Sequence, residues 1–196
     1  MNPNPKLGSF GEAPKPPTPV DQHDLMEMAS DQVKKGVETD FGIEITDIKE
    51  INVGFKNKFY RATTATEKKI FIGINKDKAV IEAEMFGYEL LKQKGIPVPE
   101  VMAYQENPPT VGHPTMILSA VRGVSLEEAD LPPEQENAIY EKLGEILRKI
   151  NEIKVEGFGP LRKVDGIFKG EYETYEKYCK WRKERFDEAV NFLVKN

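Results

Sequence analysis

The chain has 196 residues, 39% of them hydrophobic and 31% charged, enough apolar material for a core of ordinary size under a solvated surface. Its 28 basic and 33 acidic side chains leave a net charge of −5, which argues against a general nucleic-acid binder. One cysteine, Cys179, allows no internal disulfide and suits a reducing cytoplasm; with only two histidines beside it, a structural zinc site is not expected.

In chain order, residues 1–20 are rich in Pro, Gly and Lys and read as a disordered tail, because they cannot bury enough surface to offset ordering. They lack the apolar core of a signal peptide, and Lys15–Pro19 is the one stretch there that suits a polyproline groove. No apolar run approaches the ~20 residues that span a bilayer, so no membrane partner is expected. From Asp21 the spacing of Leu25, Met28, Ala29, Val33 and Val37 predicts a helix that stops at Phe41-Gly42. Ile43–Val53 reads as one or two short strands. Gly54–Asn57 is a turn, followed by a strand over Lys58–Ala65, a polar turn and a third strand over Ile70–Ile74.

A helix is predicted from Lys78 to Lys94, with Val80, Ile81, Tyr88 and Leu91 on one face and Glu84 among them. Pro97 and Pro99 break it. Val101–Tyr104 and Pro114–Val121 read as strands, and Glu134–Ile153 as the clearest helix, striped by Ile139, Leu143, Ile146, Leu147, Ile150 and Ile153. Gly157–Pro160 reads as a turn, Asp165-Gly166 and Lys169-Gly170 as a small hairpin, and Glu171–Lys195 as a final helix.

Four segments resemble the aminoglycoside phosphotransferase and choline kinase superfamily. They are Gly54–Arg61; Glu84 followed by Leu90-Leu91, Gly95 and Ile96–Pro99; Pro114–Gly123; and Ile150–Ile153 with Gly157–Leu161 and Asp165–Gly170. Glu84 stands thirteen residues before Pro97, which is the family's spacing. The resemblance spans roughly Ile48 to Gly170 and implies an α+β, protein-kinase-like N-lobe: an antiparallel five-stranded sheet with one packed helix. On that reading the N-lobe covers 21–122, and 123–196 begins a helical C-lobe that is incomplete.

What the family does with these positions is then expected here. Gly54, Phe55, Lys56 and Asn57 would form the turn that presents backbone amides to phosphates. Glu84, with Glu82 as the fallback, would pair with the phosphate-holding cation of the third strand. Ser119, Ala120 and Val121 would form the hinge that meets adenine through backbone groups. The implied ligands are ATP, Mg²⁺ and a small molecule bearing a hydroxyl, and the implied reaction is phosphorylation of that hydroxyl.

Two positions depart from the pattern. Gly73 stands where the third strand's Lys or Arg belongs, with Lys76 and Lys78 as possible substitutes. The family's His-Gly-Asp catalytic motif and its Mg²⁺ ligands have no match after Gly123; His23-Asp24 lacks the glycine, and Asp165 sits in a glycine-bounded turn. No catalytic or metal-binding residue is therefore assigned, and the catalytic loop is expected beyond Asn196. The alternative expectation is a non-catalytic nucleotide-binding or interaction module built on the same fold. An N-lobe without the surface it normally packs on should also expose apolar helix faces and associate.

Overall fold

The computed structural model describes residues 28–51, 57–124, 126, 129 and 131–195, apart from the side chains of 188–195. The expected tail over 1–20 lies outside them, as do Gly54, Phe55 and Lys56.

Helix α1 (Ser30–Phe41) ends at Gly42 and buries Val33, Gly36 and Val37 along one stripe. Gly36 lets the loop that carries Val111 approach, since a Cβ there would lie 2.6 Å from Val111 Cγ2. Five strands follow: β1 (Ile45–Ile51), β2 (Lys58–Thr64), β3 (Lys69–Ile74), β4 (Val101–Gln105) and β5 (Thr115–Ser119). They form one antiparallel sheet in the order β1-β2-β3-β5-β4. Helix α2 (Lys78–Gln93) connects β3 to β4.

The period of two assigns each side chain to a face. Tyr60, Ala62, Ile70, Ile72, Ile74 and Ile117 pack with Val33 and Val37 on the α1 face. Phe71, Met116 and Leu118 pack with Ile81, Met85 and Tyr88 on the α2 face. Strand β5 is thus covered on both sides, and the continuous apolar run Met116–Leu118 follows from that.

Beyond the sheet come α3 (Pro133–Glu152), a hairpin of β6 (Phe158–Val164) and β7 (Ile167–Tyr172), and α4 (Tyr175–Lys195). The stretch Gly157–Pro160, expected as a turn, is largely strand. β6 is irregular between Phe158 and Leu161, and glycine is needed at position 170 because a Cβ there would collide with the backbone of Gly157 and Phe158. The reversal itself is at Asp165-Gly166, both with positive φ, as a two-residue hairpin turn requires. The last helix begins four residues later than the sequence suggests. Glu171 and Tyr172 belong to β7, and the Thr174 hydroxyl accepts the Lys177 N–H at the helix start.

Candidate functional site

The N-terminus of α2 is set by Asp77, whose Oδ1 accepts the Ala79 N–H at 2.9 Å. An N-cap carboxylate of this kind satisfies an orphan amide and complements the positive end of the helix. Asp77 is tied back to the end of β3, because its own N–H donates to Asn75 Oδ1 at 2.7 Å. Asn75 Nδ2 donates to Asn57 Oδ1 at 2.6 Å, and Asn57 Nδ2 donates to Glu84 Oε2 at 2.8 Å. Tyr88, one turn along α2, donates its hydroxyl to Glu84 Oε1 at 2.9 Å. Burial, and then this bond to Glu84, push the Tyr88 hydroxyl well above the usual phenol range, so it remains a donor.

Two of the expected residues, Asn57 and Glu84, are therefore in direct contact, although 27 positions apart. Asn57 is the one residue of the expected glycine turn that is described. The contact joins the residue before β2 to α2 and, with Tyr88, leaves both Glu84 oxygens engaged by neutral donors. No cation among the described residues forms an ion pair with Glu84. Lys78, one expected substitute, pairs instead with the exposed Glu106, just past β4, at 2.8 Å. Lys58 is buried on the opposite face of the sheet, 3.2 Å from Glu50.

At Gly73 there is a steric reason for the missing side chain. Gly73 lies opposite Phe59 in the β2–β3 register, and a Cβ on it would stand 2.9 Å from Phe59 Cε1. The aromatic ring fills the place where a strand cation would begin.

At the far end of β5, the Ser119 N–H donates to the Glu100 carbonyl at 2.9 Å, and the Ala120 N–H donates to the Lys69 carbonyl at 3.2 Å. The Ser119 hydroxyl accepts the Glu100 N–H at 2.9 Å. Of the three hinge residues, two have their backbone donors committed to the sheet. Val121 is 69% exposed, and its N–H makes no backbone hydrogen bond among the described residues.

Asn75, Asp77 and Tyr88 were not singled out from the sequence. Asp77 had a legible signal, an Asp two residues before Ala79 at the opening of a helical period. Tyr88 had one too, standing one helical turn after Glu84 on the same face, whereas Asn75 had none, because its role depends on the fold bringing it to Asn57. Among the described residues, no group of three or more His, Cys, Asp or Glu side chains could hold a metal ion. No helix among the described residues is long and apolar enough to cross a membrane.

A family model described as "Phosphotransferase enzyme family" matches residues 47–190, more than half of the chain. No curated protein matches the sequence. Solved structures do match. A thermostable mutant of aminoglycoside phosphotransferase APH(4)-Ia in its apo form is 18% identical with a TM-score of 0.56, over 74% of this chain and 47% of that one. A variant of the same enzyme in ternary complex with AMP-PNP and hygromycin B is 19% identical with a TM-score of 0.54, over 74% and 47%. The GDP and kanamycin complex of APH(2")-IIIa is 18% identical with a TM-score of 0.50, over 62% and 42%. At such identities the likeness speaks to the fold alone. The five-stranded sheet with α2 is the N-lobe of a kinase-like fold, and the chain spans about half the length of the structures it matches.

Proposed function

Because the chain belongs to the phosphotransferase enzyme family, we propose that it holds the nucleotide of an ATP-dependent phosphotransferase acting on a hydroxyl of a small molecule. The observation that carries this reading is the hydrogen-bonded line from Asn57 to Glu84, which fixes α2 against the last residue of the expected glycine turn. In kinase-like phosphotransferases catalysis is mostly positioning and electrostatic stabilisation of phosphates, so a helix Glu held in place at that turn is the expected hardware. Val121 supports the reading with a backbone donor at the end of β5, where a purine edge would meet it. Gly54, Phe55 and Lys56 complete the proposed pocket, with Ser119 and Ala120 shaping its hinge.

The proposed division is an N-lobe over 21–122 and the start of a helical lobe over 123–196, in a cytoplasmic protein. The reacting groups of phosphoryl transfer, an Asp base and the ligands of Mg²⁺, have no match in the 196 residues. The role proposed for this chain is nucleotide positioning, and no catalytic step is assigned to it. The second reading, a non-catalytic nucleotide-binding or interaction module, is favoured by one observation: Phe59 occupies the space of the missing cation beside Gly73.

A thermal-shift titration with AMP-PNP, with and without Mg²⁺, tests the proposal. Stabilisation that saturates with AMP-PNP supports it, because a ligand that binds only the native state raises the melting temperature with concentration. An unchanged melting temperature at millimolar AMP-PNP would sink it.

A further inference from the structure

The β6–β7 hairpin lies outside the five-stranded sheet, yet it grips the helix that carries Glu84. Arg162 on β6 donates from Nη1 to Asp77 Oδ2 at 2.9 Å. The two oxygens of Asp77 are thus divided, Oδ1 capping α2 and Oδ2 taking the guanidinium. Arg162 is itself flanked by Glu171 on β7, with Nε 3.8 Å from Oε2 of a side chain only 8% exposed. Nine residues further along α2, Phe86 stacks on Phe168 of β7 with ring centroids 4.3 Å apart and planes 13° from parallel. The hairpin therefore touches α2 at its first turn and again at its middle, while the opposite face of the helix packs on the sheet through Ile81, Met85 and Tyr88.

We propose that Arg162 is a positioning residue for the nucleotide pocket, acting through Asp77 and the Asn75–Asn57 pair to fix Glu84. The path is continuous: Arg162 to the Asp77 carboxylate, the Asp77 N–H to Asn75, Asn75 to Asn57, and Asn57 to Glu84. Arg162 suits the task because its planar fork can address Asp77 through one nitrogen while another faces Glu171. A lysine would supply charge at one point only. The consequence for the family's chemistry is that residues 85 positions beyond the cap help to set the geometry of the sheet-side pocket. The inference rests on the proposed nucleotide site for its functional consequence, and on geometry alone for its effect on α2.

The test uses Asp77→Asn, which keeps a capping oxygen for Ala79 and removes the ion pair, beside Arg162→Ala and the double variant. Amide hydrogen exchange at Ala79 and Val80, with the side-chain amide signals of Asn57 and Asn75, reads the position of α2 without ligand. AMP-PNP titration reads the consequence. Each single variant should speed exchange in the first turn of α2 by about three- to tenfold, the double variant no more than the worse single, as contacts in one network couple. AMP-PNP affinity should fall by a similar factor, with Arg162→Lys recovering part of it. Unchanged exchange and unchanged Asn57 signals in Arg162→Ala would overturn the proposal. So would undiminished AMP-PNP affinity in the single variants when the unaltered chain binds. If α2 loosens as expected while the unaltered chain fails to bind AMP-PNP, the positioning role stands and the nucleotide function falls.

Discussion

Asn57 and Glu84 are joined by a 2.8 Å hydrogen bond from the Asn57 amide to the Glu84 carboxylate. The bond places a neutral donor where a kinase-like fold usually has a cation. It also makes Asn57 a two-way link, because its Oδ1 accepts from Asn75. Replacing Asn57 with Ala leaves Glu84 Oε2 and Asn75 Nδ2 each short of that partner, and chemical unfolding should show a loss of about 1–3 kcal/mol. Asn57→Asp has the same size and puts a second carboxylate against Glu84, so one of the two must take up a proton. It should destabilise more than the Ala variant at neutral pH and recover on acidification. Equal stability of all three chains at neutral pH would show that the line carries no strain or binding energy.

The Phe59 ring over Gly73 leads to a paired prediction. From sequence alone, a lysine restored at position 73 is expected to strengthen ATP binding. The structure makes that outcome depend on Phe59. Gly73→Lys alone should cost about 1–3 kcal/mol through overpacking, with no gain in AMP-PNP affinity. Combined with Phe59→Ala, the lysine has space on the face that carries Glu84. The double variant should then be more stable than the sum of the single effects and bind AMP-PNP more tightly than the parent. Additive losses, with no gain in affinity, would show that the two positions do not share that space.

The sheet and its two faces are legible in the sequence because alternation and helical periods are local properties. Ile70, Ile72 and Ile74 declare one face by themselves, and Val33 with Val37 declares the helix that covers it. The hairpin was only partly readable. Gly157, Gly159 and Gly170 look like turn residues, but the fold places Gly159 and Gly170 within strands, and only the paired backbone shows the close approach that demands Gly170. Glu84 is legible through its spacing to Pro97, and Tyr88 through its place one turn later on the same helix face. The rest of the line is not, since Asn57 and Asn75 become neighbours only when β2 and β3 pair, and Arg162 meets Asp77 only when the chain doubles back.

Asp40 offers a pH test of the α1 anchor. Burial raises its carboxyl, but hydrogen bonds from Thr110 and the Val111 N–H outweigh this and leave it below the ordinary value of 3.8. The folded chain thus holds fewer protons there than the unfolded chain, so the stabilisation is complete above the ordinary value and disappears as pH falls through the lowered one. Asp40→Asn should cost about 0.5–1 kcal/mol at neutral pH. The gap to the parent, followed by urea unfolding as a function of pH, should close below the ordinary value. A gap that stays constant with pH would mean that the charge of Asp40 contributes nothing.

Helix α3 presents Ile139, Leu143 and Leu147 to solvent at 40%, 44% and 50% exposure. Apolar faces of this kind promote association. Leu143→Glu with Leu147→Glu should lower concentration-dependent association in light scattering by several-fold, while the melting temperature stays within a few degrees. Unchanged association would place the contact elsewhere on the surface.

The central claim is that the sheet carries a nucleotide site framed by Asn57 and Glu84 at one end and by Val121 at the other. Backbone and side-chain amide spectra recorded during an AMP-PNP titration test it most directly. The account predicts saturable shifts at the Val121 N–H and the Asn57 side-chain amide, lost in Glu84→Gln for Asn57 and retained there for Val121. Binding that leaves both signals unmoved, or no binding at all, would contradict it.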